Sequence, residues 1–577
     1  MPAPSQRPAY IAYFQSRLKL ADDLIPLPRH DPAHHPDADS RHARAAPSRA
    51  LRLAEATAYG GLLLYAVFAP HSIAGAWIAL SISILGWLAR TLLARRATNF
   101  PRLNLRGLNL HGLNLRGLNA RGFNLRNFNF SRLNFRSAPP DLPLWLFYVW
   151  SIISALVSAE PRISLLKLIS VSAFLIFYLV RTLNGMRRTA ATAVAALMIA
   201  SGAAGALRGA FDVARGRGVV IEEIAPDSPL RAPSVGVAVG DSLWRVNERR
   251  VDSVAEIDRA IRDAPTGEPL RLSLFSQGEQ VERVAAERVP DEWRARTSPS
   301  GLRGTRRAHR FRASGWTRHY QTFAEILQIL AQLALGFALA YWQRGFRARP
   351  HARLRLALAA TAFLLLAAGI ALTAMRTVLV AFAIGAFVVA WRATRGRARL
   401  VVSAVIVSAL ALGAFAVWRT RAEGALRLRD ESARLRFAVA RVAVARIPLH
   451  PFFGHGMDAV KEHWTEWGFP GQIKIHTHST PIQLAFDRGL PALFLWLWLL
   501  ALFWLTLARG ERLLRAAPDE ANAHGLLLGA TGALAGFFAS SLVNYNFGDA
   551  EVALVLWWLM GTAASVIDRE RAAKGRE

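Results

Sequence analysis

The chain contains no cysteine. Disulfides, thiol nucleophiles and cysteine-ligated metals are therefore excluded. Acidic residues are scarce, 40 Asp and Glu against 71 Lys and Arg, which gives a formal charge of +31 over 577 residues. A charge of that sign suits nucleic acid or an anionic membrane surface. The apolar content, 53% of residues, decides between them. A nucleic-acid binder has no use for long apolar runs, whereas a membrane protein alternates such runs with basic connections. No nucleic-acid partner is expected, and membrane lipids are. The first 50 residues are rich in His, Pro, Arg and Asp and lack an apolar centre. No cleavable signal peptide is read there, so the first apolar span is expected to act as the targeting signal.

A membrane-crossing helix needs about 20 mostly apolar residues. Twelve stretches qualify, near 52–69, 72–92, 142–158, 162–181, 189–210, 320–342, 354–374, 376–393, 400–418, 483–508, 523–543 and 550–567. Orientation follows from basic residues in the short connections. With the N-terminus inside, the runs Arg90 to Arg96, Arg181 to Arg188, Arg344 to Arg355, Arg392 to Arg399 and Arg509 to Arg515 all face the cytoplasm. The tail with Arg569-Glu570-Arg571 does too, while Pro70-His71-Ser72 and Asn544-Tyr545-Asn546 face outward. A lone Arg162 departs from the pattern. The expected fold is an all-α polytopic membrane protein of about 12 transmembrane helices, with Arg376, the loop 419–482 and His478 on the outer face.

Two insertions interrupt the spans. Residues 103–137 repeat every five, from Leu-Asn-Leu-Arg-Gly to Leu-Asn-Phe-Arg-Ser. A strict short period indicates stacked units. The segment resembles the pentapeptide-repeat family, which implies a short β-solenoid with Leu105, Leu110, Leu115, Ala120, Leu125, Phe130 and Phe135 turned inward. It departs from that family in carrying Leu or Phe two positions before each centre. The alternative is an Arg-rich cytoplasmic linker lying on anionic lipid. Residues 216–290 read as a small soluble α/β domain: strands around Val219 to Ile224 and Leu270 to Phe275, and a helix from Ser253 to Arg262 with Val254, Ile257 and Ile261 on one face. Gly218-Val219-Val220-Ile221, Pro226-Asp227-Ser228-Pro229-Leu230, Gly236 to Asp241 and Val246-Asn247 resemble a PDZ domain of the bacterial periplasmic type. The resemblance implies that Gly218, Val219, Val220 and Ile221 bind a peptide C-terminus by strand addition. The domain's position, far in sequence from Arg376 and His478, suits a recruiting device separable from the chemistry; the alternative is a structural spacer with an empty groove.

The remaining residues with chemistry cluster late in the chain. Arg436 precedes His450-Pro451-Phe452-Phe453-Gly454-His455-Gly456, and His476-Thr477-His478-Ser479 leads into Asp487-Arg488-Gly489. With Met375-Arg376 at a span start, this ordered set resembles the O-antigen ligase and O-antigen polymerase superfamily. Met375 stands where that family has Ser, and Ala492 where it has Gly. The resemblance implies a membrane glycosyltransferase with a glycan on undecaprenyl diphosphate as donor and lipid A-core or another glycan as acceptor, in the bacterial inner membrane with its catalytic loop in the periplasm.

The residue types suit that chemistry. Guanidinium groups bind phosphates bidentately and stabilise a departing diphosphate without a metal, which gives Arg376 and Arg436 catalytic roles. Arg434, two residues from Arg436, could serve in its place. A neutral imidazole at His478 can take the acceptor's proton, and attack opposite the leaving group inverts the anomeric centre. His476, Asp487, Gly454 and Gly456 complete the substrate-binding set, Asp487 by orienting His478 or capping a turn, the glycines by shaping one. Among His450, His455, His463, His476 and His478 no pair has the spacing of a helical metal site, so no metal and no cofactor is expected. O-antigen polymerisation, glycan transfer to protein, and a non-enzymatic scaffold are the rival readings.

Overall fold

The computed structural model describes residues 48–97 and 140–574, apart from 188, 233–234, 248, 266–268, 276–281, 288–289, 310–311, 345–349, 472–475, 516–519 and most of 402–430. The N-terminal tail, the pentad repeat at 103–137 and most of the expected span at 400–418 lie outside the described residues.

The helices, in chain order, are α1 (Arg49–Phe68), α2 (Ile73–Ala97), α3 (Asp141–Leu156), α4 (Pro161–Val171), α5 (Leu175–Met186) and α6 (Ala190–Arg215). The inserted domain follows, with β1 (Val219–Ile224), β2 (Ser242–Val246), β3 (Arg249–Arg250), α7 (Val254–Arg262), β4 (Leu270–Phe275), β5 (Glu282–Glu287), the one-turn α8 (Asp291–Arg294) and β6 (Leu302–Arg307). Then come α9 (Tyr320–Arg344), α10 (Pro350–Leu372), α11 (Arg376–Ala393), α12 (Glu431–Arg446), the one-turn α13 (Ala459–Glu462), α14 (Thr480–Arg515), α15 (Ala521–Ser541) and α16 (Ala550–Lys574).

Among the described residues, nine helices are long and apolar enough to cross a membrane, so the chain is a multi-pass membrane protein. They fall on nine of the twelve expected stretches. The stretch at 162–181 is built from α4 and α5, joined by a 3₁₀ turn at Ser172–Phe174. Two other expected spans form helices that do not meet that standard. In α1, Arg49, Arg52 and Glu55 occupy the first two turns, and α3 has only 16 residues.

Burial ranks the bundle. The apolar stretches of α9 and α16 are 89% buried and that of α15 is 83% buried, against 17% for α10. The first three form the centre, and α10 presents its side chains outward, as a lipid-facing helix would. Polar groups inside the bundle are bonded across helices, as an apolar surround requires. Gln332 Nε2 donates to the Phe382 carbonyl at 2.7 Å, and Arg392 meets Glu511 at 2.8 Å, with the Thr531 hydroxyl donating to the same carboxylate.

The insertion is a six-stranded antiparallel sheet, ordered β5-β4-β2-β1-β6 with β3 on β2, covered by α7. Alternating Leu270, Leu272 and Leu274 meet Ile257 and Ile261 in one core. Ser253 caps α7 by accepting from the Glu256 N–H, while Glu256 reaches back one residue beyond the cap to accept from the Asp252 N–H, a variant of the pairing its Ser-x-x-Glu spacing favours. The domain does not close at residue 290, because 302–307 supplies its edge strand.

Strand order overturns the expected peptide groove. β1 pairs with β2 on one side at Val219↔Leu243 and Val220↔Ser242, and with β6 on the other from Val219↔Arg307 to Ile224↔Leu302. Val219, Val220 and Ile221 thus have no open edge for an added strand. The Gly218 N–H already donates to a carboxylate of the same chain, Asp252, at 3.1 Å. Strand propensity foretold β1, but nothing in its own residues announced a partner 80 positions away.

Nor is the domain a loosely tethered module. Asp212, 2% exposed in the last turn of α6, accepts ion pairs from Arg208, Arg217 and Arg250 at 3.1, 3.2 and 3.6 Å. Arg250 also donates to the Gly315 carbonyl and Arg245 to that of Arg318, each at 3.2 Å. The domain therefore grips the segment that leads into α9.

Candidate functional site

Two glycine-containing stretches build the site's frame by docking on each other. α14 is two helices merged at Gly489, whose φ of 79° and ψ of 172° break the helical path, and Pro491 begins the second part. At that kink the His450–Gly456 loop lays its backbone against Asp487–Leu490. The His455 N–H donates to Phe486 O at 2.8 Å, Gly456 N–H to Asp487 O at 2.9 Å and Leu490 N–H to Pro451 O at 2.8 Å. The approach leaves no room for side chains. A Cβ on Gly489 would stand 1.9 Å from the Phe452 oxygen, and one on Gly454 2.4 Å from the Arg488 nitrogen. Gly454 and Gly456 thus shape this contact with backbone. α3 seals it: Trp150 Nε1 donates to Arg488 O at 2.9 Å, Ser154 Oγ donates to Phe453 O at 2.7 Å, and the Trp150 ring stacks on Phe453 at 5.2 Å.

Above the kink the loop has its own core. Val439 and Ala443 of α12 pack with Trp464, Trp467, Phe469 and Phe486. His455 belongs to this core. Its ring stacks on Phe486 at 4.5 Å, and Nε2 lies 3.1 Å from the Arg446 carbonyl, so Nε2 carries the proton. Burial lowers its pKa to about 4.

His478 stands at the start of α14 with φ of 58°, in the left-handed region. So do Ala374, one residue before Met375-Arg376, and Asp458. Strained backbone of this kind gathers where geometry is fixed for function. The His478 N–H donates to His476 Nδ1 at 3.2 Å, which places the His476 proton on Nε2, and the two rings meet edge to face at 4.8 Å. His478 Nδ1 is buried and, among the described residues, has no hydrogen-bond partner. Burial, His476 and Arg436 together lower His478 to about 3, and burial, Lys461 and Arg436 lower His476 to about 4. Both imidazoles are neutral at neutral pH.

Of the two neighbouring arginines, Arg436 is the one whose charge reaches both histidines, while Arg434 is exposed. Arg376 is the first residue of α11 and is exposed. Its helix start is tied to that of α14. Asn544 Nδ2 donates to Thr377 Oγ1 at 3.1 Å, and the Asn544 carbonyl accepts from the Thr480 N–H at 3.2 Å. Thr377, next to Arg376, is thereby tied to the start of α14.

Asp487 does not bond His478. Its carboxylate accepts from Gln483 Nε2 at 2.8 Å, and Gln483 Oε1 accepts from the Thr477 N–H at 2.7 Å. Gln483 is the link that sequence reasoning missed. Its position, four residues before Asp487 and six after Thr477, is the only signal that could have found it.

Because His455, His476 and His478 are depressed when folded, their neutral forms stabilise the loop above pH 6.5, and that contribution is lost as pH falls toward about 4 for His455 and His476 and about 3 for His478. For His455, which is 4% exposed, the loss is about 2 kcal/mol at pH 5 relative to pH 7. Hydrogen exchange of 452–456, corrected for intrinsic rate, should be markedly faster at pH 5, and equal protection at both pH values would contradict the assignment.

Residues 361–497 match the family model described as O-Antigen ligase. The matched stretch carries Arg376, Arg436, the His450–Gly456 loop, His478 and the Gly489 kink. The match supports the O-antigen ligase superfamily and a membrane enzyme of the ligase or polymerase type. No curated protein matches the chain.

Proposed function

We propose that this protein transfers a preassembled glycan from undecaprenyl diphosphate to a hydroxyl of lipid A-core at the periplasmic face of the bacterial inner membrane, with inversion and without a metal. The observation that carries the reading is the His478 turn: a neutral imidazole with an unbonded ring nitrogen, held in left-handed backbone beside Arg436. Arg376 and Arg436 hold the diphosphate, and the amino end of α11 adds its dipole to the same anion. His478 takes the acceptor proton as the acceptor oxygen attacks the anomeric carbon. The C–O bond to the diphosphate breaks and undecaprenyl diphosphate leaves with that bond's electron pair.

A base lowered to about 3, chiefly by burial, is weak. The diphosphate entering beside Arg436 offsets the guanidinium charge and raises His478 by that part of the shift. General-base help alone is worth about 10²–10⁴-fold, so positioning and the arginines supply the larger share. A growing lipid-linked chain is the rival acceptor, and a deletion strain that accumulates undecaprenyl-linked long polymer beside rough lipopolysaccharide would favour lipid A-core. Transfer to protein loses its motive with the closed groove at Gly218 to Ile221.

Reporter fusions test the orientation. Arg397 should report the cytoplasm and Gly468 the periplasm, and both on one side would refute the topology and the site with it. In proteoliposomes, transfer should persist in a chelator; loss of activity restored by zinc would overturn the metal-free mechanism.

A further inference from the structure

A cavity of about 310 Å³ lies beside the site. Its charged lining is Lys167 of α4, Asp458 and Lys461 of the loop, Asp487 and Arg488 at the kink, and Asp549, and Phe147 and Trp557 lie on its apolar side. His476 borders it, but His478, Arg376 and Arg436 are not among its lining residues. The segment gripped by the inserted domain reaches its wall at His319, Gln321 and Thr322.

Arg488 is the unusual group. It is 4% exposed, and its side-chain partners are neutral: the Ser151 hydroxyl at 3.3 Å, the Phe147 ring at 5.1 Å and the Tyr545 phenol. Among the described residues its Nε has no hydrogen-bond partner and no carboxylate lies within ion-pair distance of it. Asp487 is bonded to Gln483 instead, and Asp549 across the cavity to Thr322. Asp458 alone receives both ammonium groups, Lys167 at 2.7 Å and Lys461 at 3.2 Å. Asp487 acts on Arg488 through space without bonding it, and a buried cation so incompletely matched suits a visiting anion. Carboxylates and amides that accept from hydroxyls, beside aromatic rings, are what a sugar needs.

We propose that this cavity is the acceptor subsite and takes a sugar ring bearing an anionic group, phosphate or carboxylate, with Arg488, Lys167 and Lys461 around the anion. The assignment rests on the glycan-transfer reading and adds to it a second anion site, separate from the diphosphate clamp.

The test is binding to the purified full-length protein in nanodiscs, measured by calorimetry with glucose 6-phosphate, glucuronate, glucose and inorganic pyrophosphate as probes. Glucose 6-phosphate or glucuronate should bind roughly tenfold or more tightly than glucose, about the effect of one charge-assisted contact. The double variant Lys167→Gln, Lys461→Gln, whose side chains are 45% and 41% exposed, should fold and lose that preference while pyrophosphate affinity stays within about twofold. Arg488→Gln should do the same, and Arg376→Gln the reverse. Anionic sugars binding no better than glucose, or a preference that survives all three cavity substitutions, would overturn the proposal. Pyrophosphate binding lost in the lysine double variant but kept in Arg376→Gln would assign the cavity to the donor and equally overturn it. The readout needs no turnover. Anionic-sugar binding by a chain that transfers no glycan would refute the transfer reading on its own, and transfer without anionic preference would refute only the subsite.

Discussion

His478→Ala should reduce glycan transfer by roughly 10²–10⁴-fold, the range general-base removal produces, while the protein inserts and binds donor normally. The expectation is specific because His478 has little structural work. Among the described residues its ring nitrogen Nδ1 has no hydrogen-bond partner, and the turn is held by backbone and by the Thr477–Gln483–Asp487 chain. His455→Ala should behave differently, damaging the loop core that stacks on Phe486 and so lowering stability along with rate. The pH profile separates proton transfer from a structural effect. Free His478 titrates at about 3, so wild-type kcat/KM should show no fall assignable to it down to about pH 5. Donor binding raises the group, so kcat should decline on the acid side at higher pH than kcat/KM does. Wild-type transfer by the Ala variant would remove His478 as the base.

Arg376→Ala should cost roughly 10²–10³-fold, comparable to loss of one preorganised donor to a developing anion. Arg376→Lys should recover only part of that. A guanidinium makes two parallel bonds to phosphate oxygens, whereas an ammonium acts as a point charge. The position at the first turn of α11, tied through Asn544 to the His478 helix, makes geometry matter as much as charge. Full rate with Lys would show that charge suffices and that the clamp is wrong. Arg434→Ala, at an exposed position on the same helix as Arg436, should change little.

Much of the frame was legible in the sequence because spacing carried it. The apolar runs located nine of the helices, and the loop with Gly454 and the run ending in Gly489 stood out as motifs. Their meaning as a mutual backbone dock did not, since the contact joins Phe452 to Gly489 across a loop with no periodicity. Gln483 and Arg488 were invisible for a related reason. Their roles come from partners such as Thr477, Ser151 and Phe147, which only folding assembles. The inserted domain shows the same limit. A strand's residues predict a strand, but which edges are open depends on distant neighbours, here β6. The domain's hold on the segment before α9 also makes it part of the cavity's support, and its deletion should disturb the wall at His319 to Thr322.

The most direct test of the central claim is a single-turnover reaction of the purified wild-type protein with a glycan of defined anomeric configuration on undecaprenyl diphosphate and lipid A-core as acceptor. Both products would be followed, the lipid by mass spectrometry and the new linkage by NMR. The account predicts release of intact undecaprenyl diphosphate and a glycosidic bond of opposite anomeric configuration. Retained configuration, or release of undecaprenyl monophosphate with a phosphate carried to the acceptor, would contradict it.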